Sequence, residues 1–225
     1  ISCSLVGSEM CIRDSIKGNQ RYRSRDYRVE GDYSQGAFFL SADALGNEVT
    51  ILDLKEDSLQ GDREVVDILE RMGVVIEKTN LGMNGQVKHL NSTLIDASQC
   101  PDIIPVLSAV AALSNGKTEI INAGRLRIKE CDRLAAVTQE LNKLGAKVTE
   151  KSEGLIIEGV GELEGGVEVW SHKDHRIAMT LAIASTRCKA PIIIKDYECV
   201  SKSYPHFFED FKKLGGRLDE WHMGK

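Results

Sequence analysis

The sequence predicts a single α/β domain of three repeated α/β units that share one core, with pseudo-threefold symmetry. Two observations lead to this fold class. The same order of elements occurs three times along the chain, and two sets of landmark residues recur at nearly the same period. The 225 residues suffice for one large or two small domains, and a hydrophobic fraction of 42% is ordinary for a globular protein.

Each unit opens with an aspartate followed by an Ala-rich apolar stretch. Asp32, Asp102 and Asp174 are 70 and 72 residues apart. A stretch that is apolar on all sides predicts a buried helix, and an aspartate in front of it is typical of an N-cap. Because the other two copies share its position, the pattern favours a capping role for Asp102 over a role as a general base or a hydroxyl-binding carboxylate.

Each unit continues with a β-rich run and a second helix that ends at a glycine. The runs are VTILDL, TEIINA and PIIIKD, and Gly73, Gly145 and Gly215 are 72 and 70 residues apart. A glycine here suits the left-handed C′ position. Strands are expected after it, at VVIEK and VKHL in the first unit and at KVTE and LIIEG in the second. The units are predicted at about residues 31–101, 102–173 and 174–225.

The composition excludes several functional classes. A net charge of −5 and an aromatic fraction of 5% argue against nucleic-acid binding, and no apolar run is long enough for a membrane span. The six cysteines show no C-x-x-C pair, which indicates reduced thiols and a cytoplasmic protein. His172 and His175 form an H-x-x-H pattern without a second ligand pair, so we expect no metal site.

The stretch RIKECDR puts charge at the start of an amphipathic helix. Leu134, Val137 and Leu141 form its apolar stripe, and the same stripe traced back passes through Glu130 and Arg133. A cation in the first turn opposes the helix dipole, and a bound anion would offset that cost.

The other two units repeat the cation near the start of the second helix. Arg63 precedes its terminal glycine by ten residues, Arg133 by twelve and Lys202 by thirteen. For Arg63 alone, a solvated charged turn is the favoured interpretation. Arg176 lies at the mouth of a nearly all-apolar helix, and His175 beside it is either a partner of Asp174 or a proton carrier.

These residues define a candidate site with four cations and two carboxyls. Arginine suits bidentate carboxylate or phosphate binding, and lysine suits a phosphate as a point charge. Such a set predicts a substrate with two or more anionic groups. The cations are Lys129, Arg133, Arg176 and Lys202, and the carboxyls are Asp102 and Glu130.

Five motifs together resemble the 3-phosphoshikimate 1-carboxyvinyltransferase (EPSP synthase) family. They are VEGDYSQGAFFL, SLQGD, RIKECDRLAAV, DHRIAMTLAIA and SKSYPHFF, and the resemblance runs from about Ile16 to Gly215. The family has two similar domains of three α/β units each, which close on the substrates. The resemblance identifies residues 31–225 as the C-terminal enolpyruvyl transferase-like domain and residues 16–30 as the end of, or linker from, a missing N-terminal domain. Residues 1–15 fit no family motif and no signal peptide, so we expect a non-native leader.

The resemblance also implies roles for the site residues. Asp102 would hold the shikimate hydroxyls and is a candidate base, Glu130 would protonate the methylene carbon of phosphoenolpyruvate, and His175 lies alongside. Lys129 would contact the shikimate substrate. The phosphate and the carboxylate of phosphoenolpyruvate would be clamped by Arg133, Arg176 and Lys202. Arg125 replaces an asparagine of some relatives and is assigned no role.

The implied reaction transfers the enolpyruvyl group of phosphoenolpyruvate to the 5-hydroxyl of shikimate 3-phosphate, without metal or cofactor. The resemblance implies a cytoplasmic enzyme, monomeric at full length, and we expect little activity from this part alone. Three alternatives stay open: a relative acting on UDP-N-acetylglucosamine, a member of the RNA 3′-phosphate cyclase class, and a non-catalytic anion-binding domain. The net charge of −5 disfavours the second, and the DHR and SKSYPHFF motifs disfavour the first.

Overall fold

The computed structural model describes residues 2–6, 11–15, 17–79 and 82–219. Its helices are α1 Tyr33–Ala44, α2 Glu64–Arg71, α3 Ile104–Ala112, α4 Arg133–Lys143, α5 His175–Ser185 and α6 Phe207–Lys213. Its first six strands are β1 Ser2–Val6, β2 Cys11–Ser15, β3 Val74–Thr79, β4 Gly82–Val87, β5 Leu94–Asp96 and β6 Lys117–Ile121. The other six are β7 Lys147–Lys151, β8 Gly154–Glu158, β9 Leu163–Gly165, β10 Glu168–Trp170, β11 Cys188–Ala190 and β12 Ile193–Lys195.

The core is built on three helices, one from each unit, that contact one another: α1, α3 and α5. Their sequences lack a polar face, and accordingly every residue of α3 is buried. Helices α2 and α4 are amphipathic and bury one side only, through residues such as Val66 and Leu69 in α2 and Val137 and Leu141 in α4. The predicted α/β fold with one shared core is confirmed.

The middle unit has the most complete sheet, a four-stranded one in the order β5-β6-β8-β7. β5 runs parallel to β6, with Ile95 opposite Ile120, and β8 is antiparallel to both of its neighbours. Helix α3 connects β5 to β6, so a strand precedes the first helix as well as following it. The third unit repeats this arrangement, since β10 and β12 are parallel strands joined through α5. The sequence did not indicate these leading strands, which have three residues each.

The predicted left-handed glycines are confirmed. Gly73, Gly145 and Gly215 have φ values of 95°, 96° and 103°. A second left-handed position, which was not predicted, lies at or next to the last residue of the β-rich run of every unit: Asp53, Asn122 and Asp196 have φ values of 66°, 55° and 52°. Aspartate and asparagine tolerate this conformation better than most residues. The threefold repeat therefore extends to single backbone angles.

Some predicted details of the repeat are wrong, among them the second strand of the first repeat: β4 covers Gly82–Val87, and the predicted strand VKHL begins only at its last residue. The run VTILDL is not a regular strand, because among the described residues its ladder contacts are a bridge from Ile51 to Met83 and the bond from the Gly31 N–H to the Asp53 carbonyl. Lys202 does not lie in the first turn of a second helix. It ends the 3₁₀ helix Tyr197–Lys202, and α6 starts five residues later.

By its internal contacts the chain divides into two compact segments, Ile1–Glu30 and Gly31–Lys225. In the segment Ile1–Glu30, β1 and β2 form an antiparallel pair with Ser2 opposite Ser15. These strands lie in the segment that the sequence predicts to be a leader, to which no fold was assigned. Of the helices in the described ranges, none has the length and apolar character that crossing a membrane requires.

Alanine at the C′ glycines should destabilise the fold to different degrees. Gly215→Ala should lose about 1–2 kcal/mol through the left-handed backbone alone, because a Cβ there meets nothing within 4 Å. Gly73→Ala should lose more, since its Cβ would lie 2.8 Å from the His89 carbonyl oxygen. Urea unfolding checks both values. Gly18→Ala, at an open position without positive φ, is the control, and equal losses at Gly73 and Gly18 would contradict the argument.

Candidate active site

All seven site residues predicted from the sequence line one cleft. Its volume is about 470 Å³, and Ser203 is the one further lining residue. The cleft lies where α4 and α5 begin and where two 3₁₀ helices, Pro101–Ile103 and Tyr197–Lys202, bring Asp102 and Lys202. Starts of helices from different units therefore converge on a single site.

Local capping fixes where α4 and α5 begin. The Asp132 carboxylate accepts a bond from the Ala135 N–H at 3.1 Å, so α4 starts at Arg133 and Glu130 lies in the turn before the helix. The Asp174 carboxylate accepts from the Arg176 N–H at 2.9 Å, so α5 starts at His175. Aspartate is among the preferred N-cap residues for this reason.

Arg133 and Asp174 form a buried ion pair beneath the cleft. The side chain of Arg133 is 3% exposed and that of Asp174 is 0% exposed. The Arg133 Nε and Nη2 donate to the two Asp174 oxygens at 2.7 and 3.2 Å. Burial alone would raise the pKa of the Asp174 carboxyl, but the Arg133 hydrogen bonds and charge hold that pKa below its ordinary value. The pair links the start of α4 to the start of α5.

Asp102 is the carboxylate on which the cations converge. Its Oδ1 lies 2.8 Å from Arg133 Nη1 and 3.1 Å from Lys129 Nζ, and its Oδ2 lies 3.8 Å from Arg176 Nη2. Arg176 also donates to the Asp102 backbone carbonyl at 3.1 Å. Burial would raise the pKa of Asp102, but Arg176, Lys129 and Arg133 together lower that pKa. The carboxylate is therefore ionised at neutral pH.

The capping role predicted for Asp102 is wrong. Its 3₁₀ helix starts at Pro101 and has no side-chain cap, and α3 follows without one, whereas Asp32 and Asp174 both cap their helices. The physical reason is the competition for its oxygens: nearby cations bind the Asp102 carboxylate more strongly than the backbone N–H groups of its helix could.

Glu130 lies between His175 and Lys202 on the other side of the cleft. Its Oε2 accepts from Lys202 Nζ at 3.1 Å, and its Oε1 lies 3.1 Å from His175 Nδ1 without the alignment of a hydrogen bond. Burial lowers the pKa of His175, and Arg176 lowers it further, against the charges of Glu130 and Asp174. The imidazole is therefore neutral at pH 7.

The lining of the cleft is cationic although the chain as a whole is acidic. Four cations and two carboxylates give the lining a net charge of +2 with neutral His175, while the whole chain carries −5. Positive charge in a concave site attracts anions and excludes cations. Lys202, 57% exposed, is the most accessible of these cations, and Arg133 is the least accessible.

One group of side chains has the spacing of a metal site. Oxygen and nitrogen atoms of Glu130, Asp174 and His175 lie within 4.8 Å of one another. Both Asp174 oxygens, however, already accept bonds from Arg133. A cation placed there would have to compete with a buried guanidinium, so the donor set does not suit a metal ion.

Arg127 supports the turn that carries Lys129 and Glu130. Its guanidinium donates to the carboxylates of Asp132 and Glu150 at 2.8 and 2.7 Å. It also donates to the backbone carbonyls of residues 152 and 151 at 2.8 and 2.6 Å. The first arginine of RIKECDR therefore lies outside the cleft and connects its turn to the β7–β8 hairpin.

Sequence reasoning missed two features next to the cleft. Ser203 accepts a bond from the Gln35 Nε2 at 2.5 Å, which links the cleft to α1. Ser34 donates to Asp62, whose pKa is raised by burial against the effects of Ser34 and Arg176. Both sites fall within motifs that carry the family resemblance, SKSYPHFF and SLQGD, which was the available signal. Arg125 does not line the cleft and donates to the Ser98 carbonyl at 3.4 Å.

A threefold α/β domain with a cationic cleft at its helix starts has a charge distribution that suits small, multiply charged anions. The EPSP synthase (3-phosphoshikimate 1-carboxyvinyltransferase) family model matches residues 9–211. The chain belongs to this family. Its relatives include the 3-phosphoshikimate 1-carboxyvinyltransferase of Clostridioides difficile strain 630, 74% identical over 210 residues, which are 93% of this chain and 48% of the relative.

Other relatives agree. The same-named protein of Clostridium beijerinckii is 72% identical over 211 residues, covering 93% of this chain and 48% of the relative. The solved EPSP synthase of Acinetobacter baumannii superposes with a TM-score of 0.75 at 30% identity, over 84% of this chain and 46% of that one. The chain thus spans about half the length of the relatives it matches.

Asp174→Asn should cost about 3–5 kcal/mol of unfolding free energy, because it removes the buried carboxylate that accepts two of the Arg133 hydrogen bonds and leaves the buried guanidinium only the partly exposed Asp102. Asparagine still caps a helix, so Asp32→Asn, at a cap without an arginine, should cost at most about 0.5 kcal/mol. Urea unfolding of both variants separates ion pairing from capping. Equal losses would contradict the ion-pair argument.

The Arg133–Asp174 ion pair should make the unfolding free energy depend on pH in the acid range. The folded-state pKa of Asp174 lies below the ordinary 3.8, so its contribution is complete above about pH 4 and is lost as the pH falls through the lowered folded value. Unfolding free energies measured from pH 6 downwards should therefore fall less steeply in acid for Asp174→Asn than for the unmodified chain. Parallel curves would contradict the assignment.

Proposed function

We propose that this chain is the C-terminal part of a 3-phosphoshikimate 1-carboxyvinyltransferase. The enzyme would transfer the enolpyruvyl group of phosphoenolpyruvate to the 5-hydroxyl of shikimate 3-phosphate and release phosphate. The observation that carries the proposal is the convergence in one cleft of the seven residues for which the family motifs imply roles. Family membership and the names of the relatives support the same reaction.

Phosphoenolpyruvate would bind through the cationic residues Arg133, Arg176 and Lys202. Arg133 uses its Nε and one N–H of each terminal nitrogen for Asp174 and Asp102, so further N–H groups remain for a ligand. Arg176 and Lys202 each have one described carboxylate neighbour, at 3.8 and 3.1 Å. Phosphate and carboxylate groups on one small molecule match three cations within one cleft.

Asp102 and Lys129 would contact the shikimate substrate. A lowered pKa makes Asp102 a weak proton acceptor and a strong hydrogen-bond acceptor, which favours hydroxyl binding over general-base catalysis in the cleft as it stands. When phosphoenolpyruvate anions neutralise Arg133 and Arg176, the pKa of Asp102 rises and the carboxylate becomes the better base.

Glu130 would supply the proton that the methylene carbon of phosphoenolpyruvate gains. In the addition step, the 5-hydroxyl oxygen bonds to C2, Glu130 protonates the methylene carbon and Asp102 takes the hydroxyl proton. In the elimination step, Glu130 takes a proton back from the new methyl group as the bond between C2 and the phosphate oxygen breaks, which restores the double bond, and the phosphate leaves with that bond's electron pair and the proton held by Asp102. Neutral His175, 3.1 Å from Glu130, would exchange the proton with it. The fixed cations stabilise the charge on the leaving phosphate.

We further propose that residues 31–225 form the C-terminal domain and work with an N-terminal domain in a cytoplasmic enzyme that is monomeric at full length. The division at Glu30 and Gly31 supports this boundary. Relatives about twice as long support a second half that completes the substrate sites. The proposed roles require no metal or cofactor. The alternative is a domain that binds anions without catalysis.

The reaction should depend on the second half. The chain alone should release little phosphate from shikimate 3-phosphate plus phosphoenolpyruvate, and mixing with residues of the N-terminal half of the Clostridioides difficile relative should raise the rate. A phosphate-release assay checks this. UDP-N-acetylglucosamine in place of shikimate 3-phosphate is the control substrate. Turnover with UDP-N-acetylglucosamine but not with shikimate 3-phosphate would overturn the proposal. Binding of phosphoenolpyruvate without turnover in any mixture would favour the alternative of an anion-binding domain without catalysis.

Glu130→Gln in the complemented enzyme should lower the rate by about 10²–10⁴-fold, the usual contribution of a general acid. Glu198→Gln, an equal change of charge at an exposed position of the 3₁₀ helix that ends at Lys202, should leave the rate unchanged. Urea unfolding should show both variants to be similarly stable. If Glu130→Gln keeps its rate, or loses rate and stability in proportion, the acid lies elsewhere.

A further inference from the structure

Helix α4 carries a buried carboxylate, that of Glu140, which lies outside the cleft. Glu140 is 0% exposed, and its oxygens accept bonds from the Trp170 backbone N–H and the Lys143 Nζ, each at 2.9 Å. The His172 Nε2 lies 2.9 Å from Oε1 and is placed to donate to it. Burial would raise the pKa of Glu140, but Lys143, Trp170 and His172 lower that pKa, so the carboxylate is charged. None of the roles assigned above uses this residue.

Two partners of Glu140, Trp170 and His172, lie at the end of β10 and in the connection from β10 to α5. In that connection His172 and Lys173 have φ values of 53° and 58°, and two consecutive left-handed residues other than glycine are costly. Such a backbone persists only where its surroundings hold it. The Trp170 ring lies over the His172 imidazole with centroids 4.2 Å apart, and Ser171 accepts from the Lys173 N–H at 3.1 Å.

The residue after this turn is Asp174, followed by the first residues of α5 in the cleft. Helix α4 therefore holds the approach to α5 at two levels: Arg133 in its first turn binds Asp174, and Glu140 two turns later binds Trp170 and His172. The direction in which His175 and Arg176 leave the turn depends on both attachments.

We propose that Glu140 is a positioning residue of the site: through His172 and the Trp170 N–H it holds the left-handed turn that orients His175 and Arg176 in the cleft. The inference rests on the proposed function for its ligand, phosphoenolpyruvate. A purely structural role would instead stabilise the domain and leave the cleft unchanged.

The chain contains a matched control for a purely structural carboxylate. Asp43 is likewise buried near the end of a helix, α1, and accepts the Val49 N–H at 2.8 Å and the Gly85 N–H. It does not line the cleft and lies at the opposite end of α1 from Asp32. Asp43→Asn removes a buried charge from the fold without touching the turn before α5.

The test compares Glu140→Gln with Asp43→Asn in the chain of 225 residues. Phosphoenolpyruvate affinity is measured by calorimetry, and the Arg176 Nε–H and His175 ring signals by ¹⁵N NMR. Glu140→Gln should weaken binding about tenfold and shift both signals, while Asp43→Asn should change neither, at comparable losses in urea unfolding. Equal affinities and signals in the two variants would overturn the proposal.

Two further arms keep the inference testable. If Glu140→Gln does not fold, His172→Gln removes the partly exposed partner and should produce the same loss of affinity and the same signal shifts. When both variants fold, combining them should add little beyond either one, because they act through one contact. If the unmodified chain alone does not bind phosphoenolpyruvate, the affinities are measured in the mixture with the N-terminal half. Absence of binding there as well means that the proposed ligand is wrong, and the NMR comparison alone then decides whether Glu140 orients α5.

Discussion

The structure depends on one buried charge that has to be neutralised where it lies. Arg133 is 3% exposed, and a guanidinium taken out of water is tolerated only with a partner in good geometry. Asp174 supplies that partner and at the same time caps α5. The start of α4 is thereby fixed against the start of α5, and the side chains on both sides of this junction converge on the cleft. Helix capping, burial and the placement of the cations are consequences of the same contact.

The threefold repeat shows where this requirement breaks the symmetry. Asp32, Asp102 and Asp174 occupy one position in three copies, yet Asp32 caps its helix, Asp102 binds cations, and Asp174 does both. An argument from the repeat predicts what the copies share and fails where one copy differs. Two of the failures fall at Asp102 and Lys202, which line the cleft, while the irregular run VTILDL lies outside it. Departures from local rules concentrate at functional sites in this way.

Much of the fold and the set of cleft residues could be predicted from the sequence, because both depend on local signals. Helical periodicity located α4, the glycines located the helix ends, and charge at the helix starts located Arg133 and Arg176. The contacts between residues far apart in the sequence could not be predicted. The ion pair from Arg133 to Asp174 joins residues that are 41 positions apart, and the contact from Glu140 to His172 spans 32. Sequence patterns contain no information about such distances, and three-residue strands such as β5 are too short to show an alternation.

The Asp102 carboxylate has a consequence for any ligand of the cleft. Its oxygens lie within 2.8–3.8 Å of Arg133, Lys129 and Arg176, so the cleft contains its own anion. An incoming phosphate or carboxylate therefore exchanges with an ion pair instead of meeting bare cations. The binding free energy of the anion is the difference between its contacts with the cations and the contacts that Asp102 gives up. This difference is small for a singly charged ion. Competition from the Asp102 carboxylate therefore favours ligands with several negative charges and weakens the binding of common monovalent anions.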